Sequence, residues 1–326
     1  MKLGKTNTSV DIYLLISQLF ALMESTVEQS VKKVPVLLLA FNRPQATAQV
    51  LTGITPYGPP DLYVAVDGPR TGRKDDEQHN AEIGRIVAQW EAANPATRVH
   101  RLFRDTNLGC GRGVSSAITW FFDAEPMGII LEDDCLPNKS FFHFCEEMLH
   151  RYATEERIMH VSGCNHLHGG VRMDSTYYFS NLPQIWGWAT WRRAWNKYSF
   201  EMTDLEGLFR IPAFQRYYKE DPFRTTAAGK LDTWDTQWVY AFLMNNGLSV
   251  LTKYNFVKNI GFDTHGGVHY EEKPPWYNDT VTENEVLIPP GSIEANVAAD
   301  DYVFRKIYNP SIVLRAKRKL RKLLFK

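Results

Sequence analysis

The sequence predicts an α/β fold with a mostly parallel sheet flanked by helices. Short Val- and Leu-rich runs of strand length recur, helical patterns lie between them, and polar residues cluster directly after the apolar runs. Residues 34–41 (VPVLLLAF) read as a buried strand and 43–53 as a helix. Residues 62–66 (LYVAV) give the next strand and 75–93 the next helix. Residues 97–103 (TRVHRLF) alternate like a strand, 113–122 are helical, and 128–131 (GIIL) form a fourth strand. Beyond residue 155 the pattern loosens: a strand over 157–161, a tryptophan-rich region, a helix near 232–246, a strand over 248–253 and a loop with glycine and histidine over 259–269. Residues 271–310, with several prolines and few periodic runs, read as a wrapping segment.

With 326 residues, 44% hydrophobic and 23% charged, the chain is globular rather than disordered or fibrous, and long enough for one large domain or two modest ones. The zero net charge gives no sign of nucleic acid, but the charge is segregated. Residues 311–326 end in RAKRKLRKLLFK, with seven basic side chains and no acidic one, so the rest of the chain is net −7. Val313, Ala316, Leu320 and Leu323 recur there at helical spacing, which suits either a helix lying on an anionic membrane or a solvated basic end. Cys110, Cys135, Cys145 and Cys164 form no C-x-x-C pair and read as reduced thiols in a cytoplasmic protein. The apolar stretch 12–23 is too short to span a membrane and reads as a peripheral amphipathic helix.

In an α/β sheet the loops at the carboxyl ends of the strands gather ligands. Here those positions hold Asn42 and Arg43, then Asp67, Gly68 and Arg70, then Asn107 to Gly113, then Glu132, Asp133 and Asp134. Three adjacent carboxylates repel one another, and a bound Mg²⁺ or Mn²⁺ that also takes substrate phosphates relieves them. The alternative is an acidic turn capping the helix that starts near Asn138. Gly109, Gly111 and Gly113 (NLGCGRGV) suggest a dinucleotide fingerprint and so an NAD-dependent oxidoreductase. Their spacing and their place after the third strand do not fit it, and a tight loop is the other reading.

Trp186, Gly187 and Trp188 could offer a flat apolar face to a sugar, while the spacing of 188, 191 and 195 equally suits a buried helical stripe. Asp232 and Asp235 lie three apart at a helix start. Asp232 reads as a cap, and Asp235, between Trp234 and Trp238, as a general base. His265, beside glycines, is placed to meet a diphosphate or a metal. His166, His168 and His269 read as surface residues.

Together, Asn42-Arg43, Asp67-Gly68, Glu132-Asp133-Asp134, Gly187-Trp188, Trp234-Asp235 and Thr264-His265-Gly266 resemble, in the same order, the GT-A fold glycosyltransferases, most closely the inverting N-acetylglucosaminyltransferase I family. The resemblance covers about residues 34–270. It implies a Rossmann-like GT-A sheet and a metal-dependent transferase using a nucleotide-sugar, UDP-linked, with a glycan or lipid-linked acceptor of the bacterial surface-polysaccharide kind. Arg43 and Asp67 would meet the nucleotide, Glu132 and Asp133 the ribose and sugar, and Trp188 and His265 the donor. Asp134 would hold the metal and Asp235 would be the base. Residues 34–155 become the donor-binding half, 156–270 the acceptor half of the same domain, and 1–33 an N-terminal extension. A carbohydrate-binding protein without catalysis is the remaining alternative.

Overall fold

The computed structural model describes residues 33–262, 277 and 280–308. In chain order the elements are β1 (Val36–Ala40), α1 (Pro44–Ile54), β2 (Asp61–Val66), α2 (Lys74–Ala93), β3 (Arg98–Phe103), α3 (Gly109–Ala124), β4 (Met127–Glu132), β5 (Cys135–Pro137), α4 (Lys139–Arg151), β6 (Ile158–Ser162), β7 (Tyr177–Ser180), β8 (Trp188–Trp191), α5 (Arg192–Trp195), α6 (Leu205–Phe209), α7 (Pro212–Tyr217), α8 (Glu220–Ala227), α9 (Asp235–Met244), β9 (Leu248–Thr252), β10 (Val257–Asn259) and α10 (Val297–Val303), with one π-helical turn over Phe304–Tyr308. Among the described residues no helix is long and apolar enough to cross a membrane. The 12–23 stretch, His265 with its neighbours Thr264 and Gly266, His269 and the 311–326 tail lie outside the described residues.

Eight strands form one sheet in the order β3-β2-β1-β4-β8-β6-β9-β7. The first four are parallel, as the alternation of strand and helix requires. β1, β2 and β4 are buried on both faces, which is why they read as continuous apolar runs rather than alternating ones. β3 is the edge, and its Arg98, His100 and Arg101 keep that edge wet.

Alternate residues of β1 feed two cores. Val36 and Leu38 pack with α1, α2 and α4 on one face, and Leu37 and Leu39 pack with α3 and α9 on the other. Each fully buried Leu or Ile in such a layer contributes about 1.5–3 kcal/mol.

The second half departs from a parallel sheet. β8 runs antiparallel to both β4 and β6, and β7 antiparallel to β9. The tryptophans at 188 and 191, whose spacing suggests a helix, therefore lie in a strand at the middle of the sheet. Both faces there are covered, so large apolar side chains are needed above and below, and only Trp195 belongs to a short helix. A separate ribbon pairs β5 with β10, and Ile260 N donates to Asp134 O at 2.8 Å. This ties the end of the acidic triplet to residues 257–262.

Candidate active site

β1 sits between β2 and β4 and is parallel to both, so the chain runs outward to one side and then returns on the other. A crevice opens at the carboxyl ends of the two strands flanking such a reversal. Here those ends carry Asn42 and Arg43 after β1, and Glu132, Asp133 and Asp134 at and after β4.

The structure brings these groups into direct contact. The Arg43 guanidinium forks across two neighbouring carboxylates: Nη2 pairs with Asp133 Oδ1, and Nη1 with Asp134 Oδ2 at 2.9 Å. Asp133, nearly fully buried, also accepts from Phe41 N at 3.3 Å. The charge of the triplet is thus met in part by an arginine of the chain itself, which the sequence had assigned to the nucleotide. Burial pulls the Arg43 guanidinium down, but Asp133 and Asp134 more than reverse this and hold it above its usual value. Glu132 accepts no hydrogen bond among the described residues. Its carboxyl is pushed up by burial and then by the fields of Asp134, Asp133 and Asp235. Burial also raises Asp133, against the pull of Arg43.

One residue the sequence reading missed supports this corner. Asp76, in the first turn of α2, is buried and accepts from Asn42 Nδ2 at 2.8 Å and from Arg70 Nε and Nη2 at 2.7 and 2.9 Å. Arg70 lies over the Phe41 ring at 5.3 Å. The signal lay in the spacing: an acid six residues beyond Arg70, at a helix start, can close a loop back onto its own arginine.

The glycine-rich turn is explained by two carboxylates. Asp67, at the end of β2, accepts from Leu108 N at 3.0 Å, Gly109 N at 3.1 Å and Asn107 Nδ2 at 3.0 Å. Asp232 accepts from Cys110 N and Gly111 N, each at 2.9 Å. Four successive amides at the start of α3 are therefore satisfied by side chains. Gly109 has φ +80°, but Gly111 and Gly113 are glycines for room: a Cβ would stand 2.7 Å from Asp232 Oδ1 and 3.0 Å from Asp67 Oδ2 respectively. With those amides taken, no pyrophosphate sits there, which removes the basis of the dinucleotide reading. Asp67 holds the turn, and burial raises its carboxyl against the lowering effect of these amides. Asp232 is a cap, as its sequence suggests, although of α3 rather than of α9.

Asp235 begins α9 and is half-buried behind Trp234. Thr233 Oγ1 and Thr236 N both donate to Oδ1, the latter at 2.8 Å, and Oδ2 accepts none among the described residues. Its field reaches Glu132 and the Cys110 thiol. Burial and then the fields of Glu132, Asp235, Asp232 and Asp67 push that thiol up to about 12, so Cys110 sits amid these acids.

Trp188 is not part of this surface. It is fully buried, stacks on Trp234 at 5.5 Å and His160 at 5.0 Å, and offers no face to a ligand. Trp186 is half-buried and packs edge-on against Phe262 and Tyr277, both at 5.7 Å. Gly187 between them has φ +69°, and a Cβ would lie 2.7 Å from Val257. His166 is buried rather than on the surface, and His168 is exposed with φ +48°. Asn138 caps α4 by accepting from Phe141 N at 3.1 Å, so the helix start after the triplet is real, but Asn138 rather than the acids serves it.

Among the described residues no three His, Cys, Asp or Glu side chains gather as a metal cage. Asp134, partly exposed and held by Arg43 at Oδ2, lies beside Glu132, whose carboxylate accepts no hydrogen bond among the described residues. That hard-oxygen set fits an ion that takes most of its ligands from water and substrate phosphates.

No protein-family model matches the chain, and no curated protein matches it. Among solved structures it is similar to HddC from Yersinia pseudotuberculosis, at 9% identity over 49% of this chain and 77% of that one, with a TM-score of 0.28. It is also similar to 4-diphosphocytidyl-2C-methyl-D-erythritol synthase from Anaerococcus prevotii, at 8% identity over 69% of this chain and 91% of that one, with a TM-score of 0.35. At such identity and TM-score neither carries any chemistry over to this chain.

Proposed function

We propose that this chain is a metal-dependent, inverting glycosyltransferase. It moves a sugar from a nucleotide diphosphate sugar, UDP-linked, to a hydroxyl of a glycan or lipid-linked acceptor. One observation carries the reading: Glu132, in the acidic triplet at the strand reversal, feels the charge of Asp235 at the start of α9, and Asp235 Oδ2 accepts no hydrogen bond among the described residues.

Asp134, with Glu132 beside it, would hold Mn²⁺ or Mg²⁺. Bound there, such an ion supplies Lewis-acid stabilisation to a leaving diphosphate. The other roles belong to the chain. Arg43 carries a fixed charge with the fork geometry that suits phosphate oxygens. Asp235 Oδ2 takes the proton of the acceptor hydroxyl as its oxygen bonds to the anomeric carbon. The bond to the nucleotide breaks on the opposite face, and its electron pair leaves with the diphosphate. Thr233 and Thr236 orient Asp235 from Oδ1. Asp67 and Asp232 fix the turn that carries Cys110.

The test is a pair of substitutions read by two assays. Asp134→Ala and Asp235→Ala each lose transfer, on the scale of about 10²- to 10⁴-fold for a lost base, but only Asp134→Ala weakens Mn²⁺-dependent UDP binding in calorimetry. Full transfer by either variant sinks the assignment. A wild-type protein that binds sugars yet neither hydrolyses nor transfers from a UDP-sugar is instead a carbohydrate-binding protein.

A further inference from the structure

We propose that Arg43 is the resident counter-cation of the acidic triplet, released to a nucleotide diphosphate when a divalent cation takes its place at Asp134. Metal and diphosphate then bind as a pair, and each alone binds weakly. The proposal rests on the donor-site reading above and adds a rule of assembly to it.

The geometry sets up a competition for one oxygen. Asp134 Oδ2 is held by Arg43 Nη1 at 2.9 Å, while Nη2 grips Asp133. A divalent cation approaching Oδ2 meets a guanidinium already there, and the two positive charges exclude each other. A diphosphate arriving alone meets three carboxylates. When both arrive, the ion satisfies Asp134 and the freed fork satisfies phosphate oxygens, which it fits as well as it fits carboxylates.

Only the side chain has to move. The Arg43 carbonyl accepts from Thr47 N and Thr47 Oγ1, both at 2.9 Å, so the backbone stays fixed at the start of α1. The backbone also passes close by: a Cβ at Gly261 would lie 2.6 Å from Asp134 Oδ2 and 3.2 Å from Arg43 Nη1, so only a glycine fits against the contested oxygen.

The experiment measures Mn²⁺ binding by electron paramagnetic resonance, with and without saturating UDP, for the full chain and for Arg43→Met and Arg43→Lys. In the wild type, UDP tightens Mn²⁺ binding by about tenfold or more, and Mn²⁺ tightens UDP binding by the same factor. Arg43→Met binds Mn²⁺ alone about tenfold tighter than the wild type, and the gain from UDP falls below about threefold. Arg43→Lys, a point charge able to hold one carboxylate, falls between the two.

Arg43→Met that folds only once Mn²⁺ is added also supports the proposal, because the ion is then replacing the guanidinium. Arg43→Met that folds and binds Mn²⁺ no tighter than the wild type overturns it. If that variant stays unfolded even with Mn²⁺, Arg43→Lys decides: tighter Mn²⁺ binding supports the proposal, and unchanged binding overturns it. A wild-type protein that binds neither Mn²⁺ nor UDP fails the donor reading itself. Intact UDP binding with unchanged metal affinity in the variants fails Arg43 alone.

Discussion

Replacing Gly111 by alanine sets helix propensity against contact. Gly111 lies inside α3, where alanine is favoured over glycine by about 1 kcal/mol. Its Cβ, however, would stand 2.7 Å from Asp232 Oδ1, 2.9 Å from Thr233 O and 3.2 Å from Phe200 Cε2. Asp232 must withdraw, and the hydrogen bonds from Cys110 N and Gly111 N go with it. Bonds to a charged acceptor are worth about 1.5–3 kcal/mol each, and Asp232 is exposed, so the lower end applies and the two together contribute roughly 3 kcal/mol. After the gain in propensity the variant loses about 2 kcal/mol.

Urea unfolding of the wild type, Gly111→Ala, Asp232→Ala and the double variant measures this as a cycle. In the Asp232→Ala background that roughly 3 kcal/mol loss is gone and only the contact with Thr233 O opposes the propensity gain, so the penalty for Gly111→Ala falls to less than half. A Gly111→Ala protein as stable as the wild type, or more so, refutes the idea that this glycine makes room for a carboxylate.

Trp188→Ala costs about 3–5 kcal/mol as a core cavity, and at a temperature where the variant is still folded its UDP affinity is unchanged; a selective loss of binding would return Trp188 to the ligand surface. Asp76→Asn breaks the Arg70 fork and costs on the order of 2 kcal/mol, seen as a lower unfolding midpoint near neutral pH, and an unchanged midpoint contradicts its role as a brace. His160 accepts from Trp238 Nε1, donates to Gln184 O and is pulled by burial down to about 4. The unfolded chain therefore binds a proton that the folded one refuses, stability falls as pH drops from about 6.5 to about 4, and His160→Gln flattens that fall in denaturant titrations. Glu132 has the opposite sign: its raised carboxyl gives a contribution present below its unfolded value near 4.5 and lost as pH rises through the folded one. Glu132→Gln therefore stabilises the protein more at about pH 9 than at about pH 5, and equal effects at both would show that Glu132 is hydrated.

The first half of the fold was legible because burial on both faces writes strands as unbroken apolar runs. The strand over 62–66 differs from β2 by one residue, and the helix over 75–93 differs from α2 by one. The second half was harder to read. β8 carries Trp188 and Trp191 on a four-residue strand whose neighbours come from distant parts of the chain, so no local period marks it. β7, with four residues, and β5, with three, went unread.

The charges of the site were visible as an acidic triplet after a strand, but not what faces them. The fork from Arg43 spans ninety residues of sequence and the bonds from Asp232 to α3 span more than a hundred, separations at which spacing carries no information. Asp235 was singled out from its tryptophan neighbours. The open oxygen that suits it to its proposed task follows from Thr233 and Thr236, whose contribution only the fold reveals.

The start of α3 is held from two directions, by an acid that ends β2 and by another that arrives with the approach to α9. The two portions of the chain are thus latched through one helix end. Recombination between chains of this kind, with a breakpoint anywhere from residue 113 to 231, would have to deliver a matching carboxylate with the incoming piece. Otherwise it would leave two amides stranded, a constraint on modular exchange written in two glycines and two aspartates.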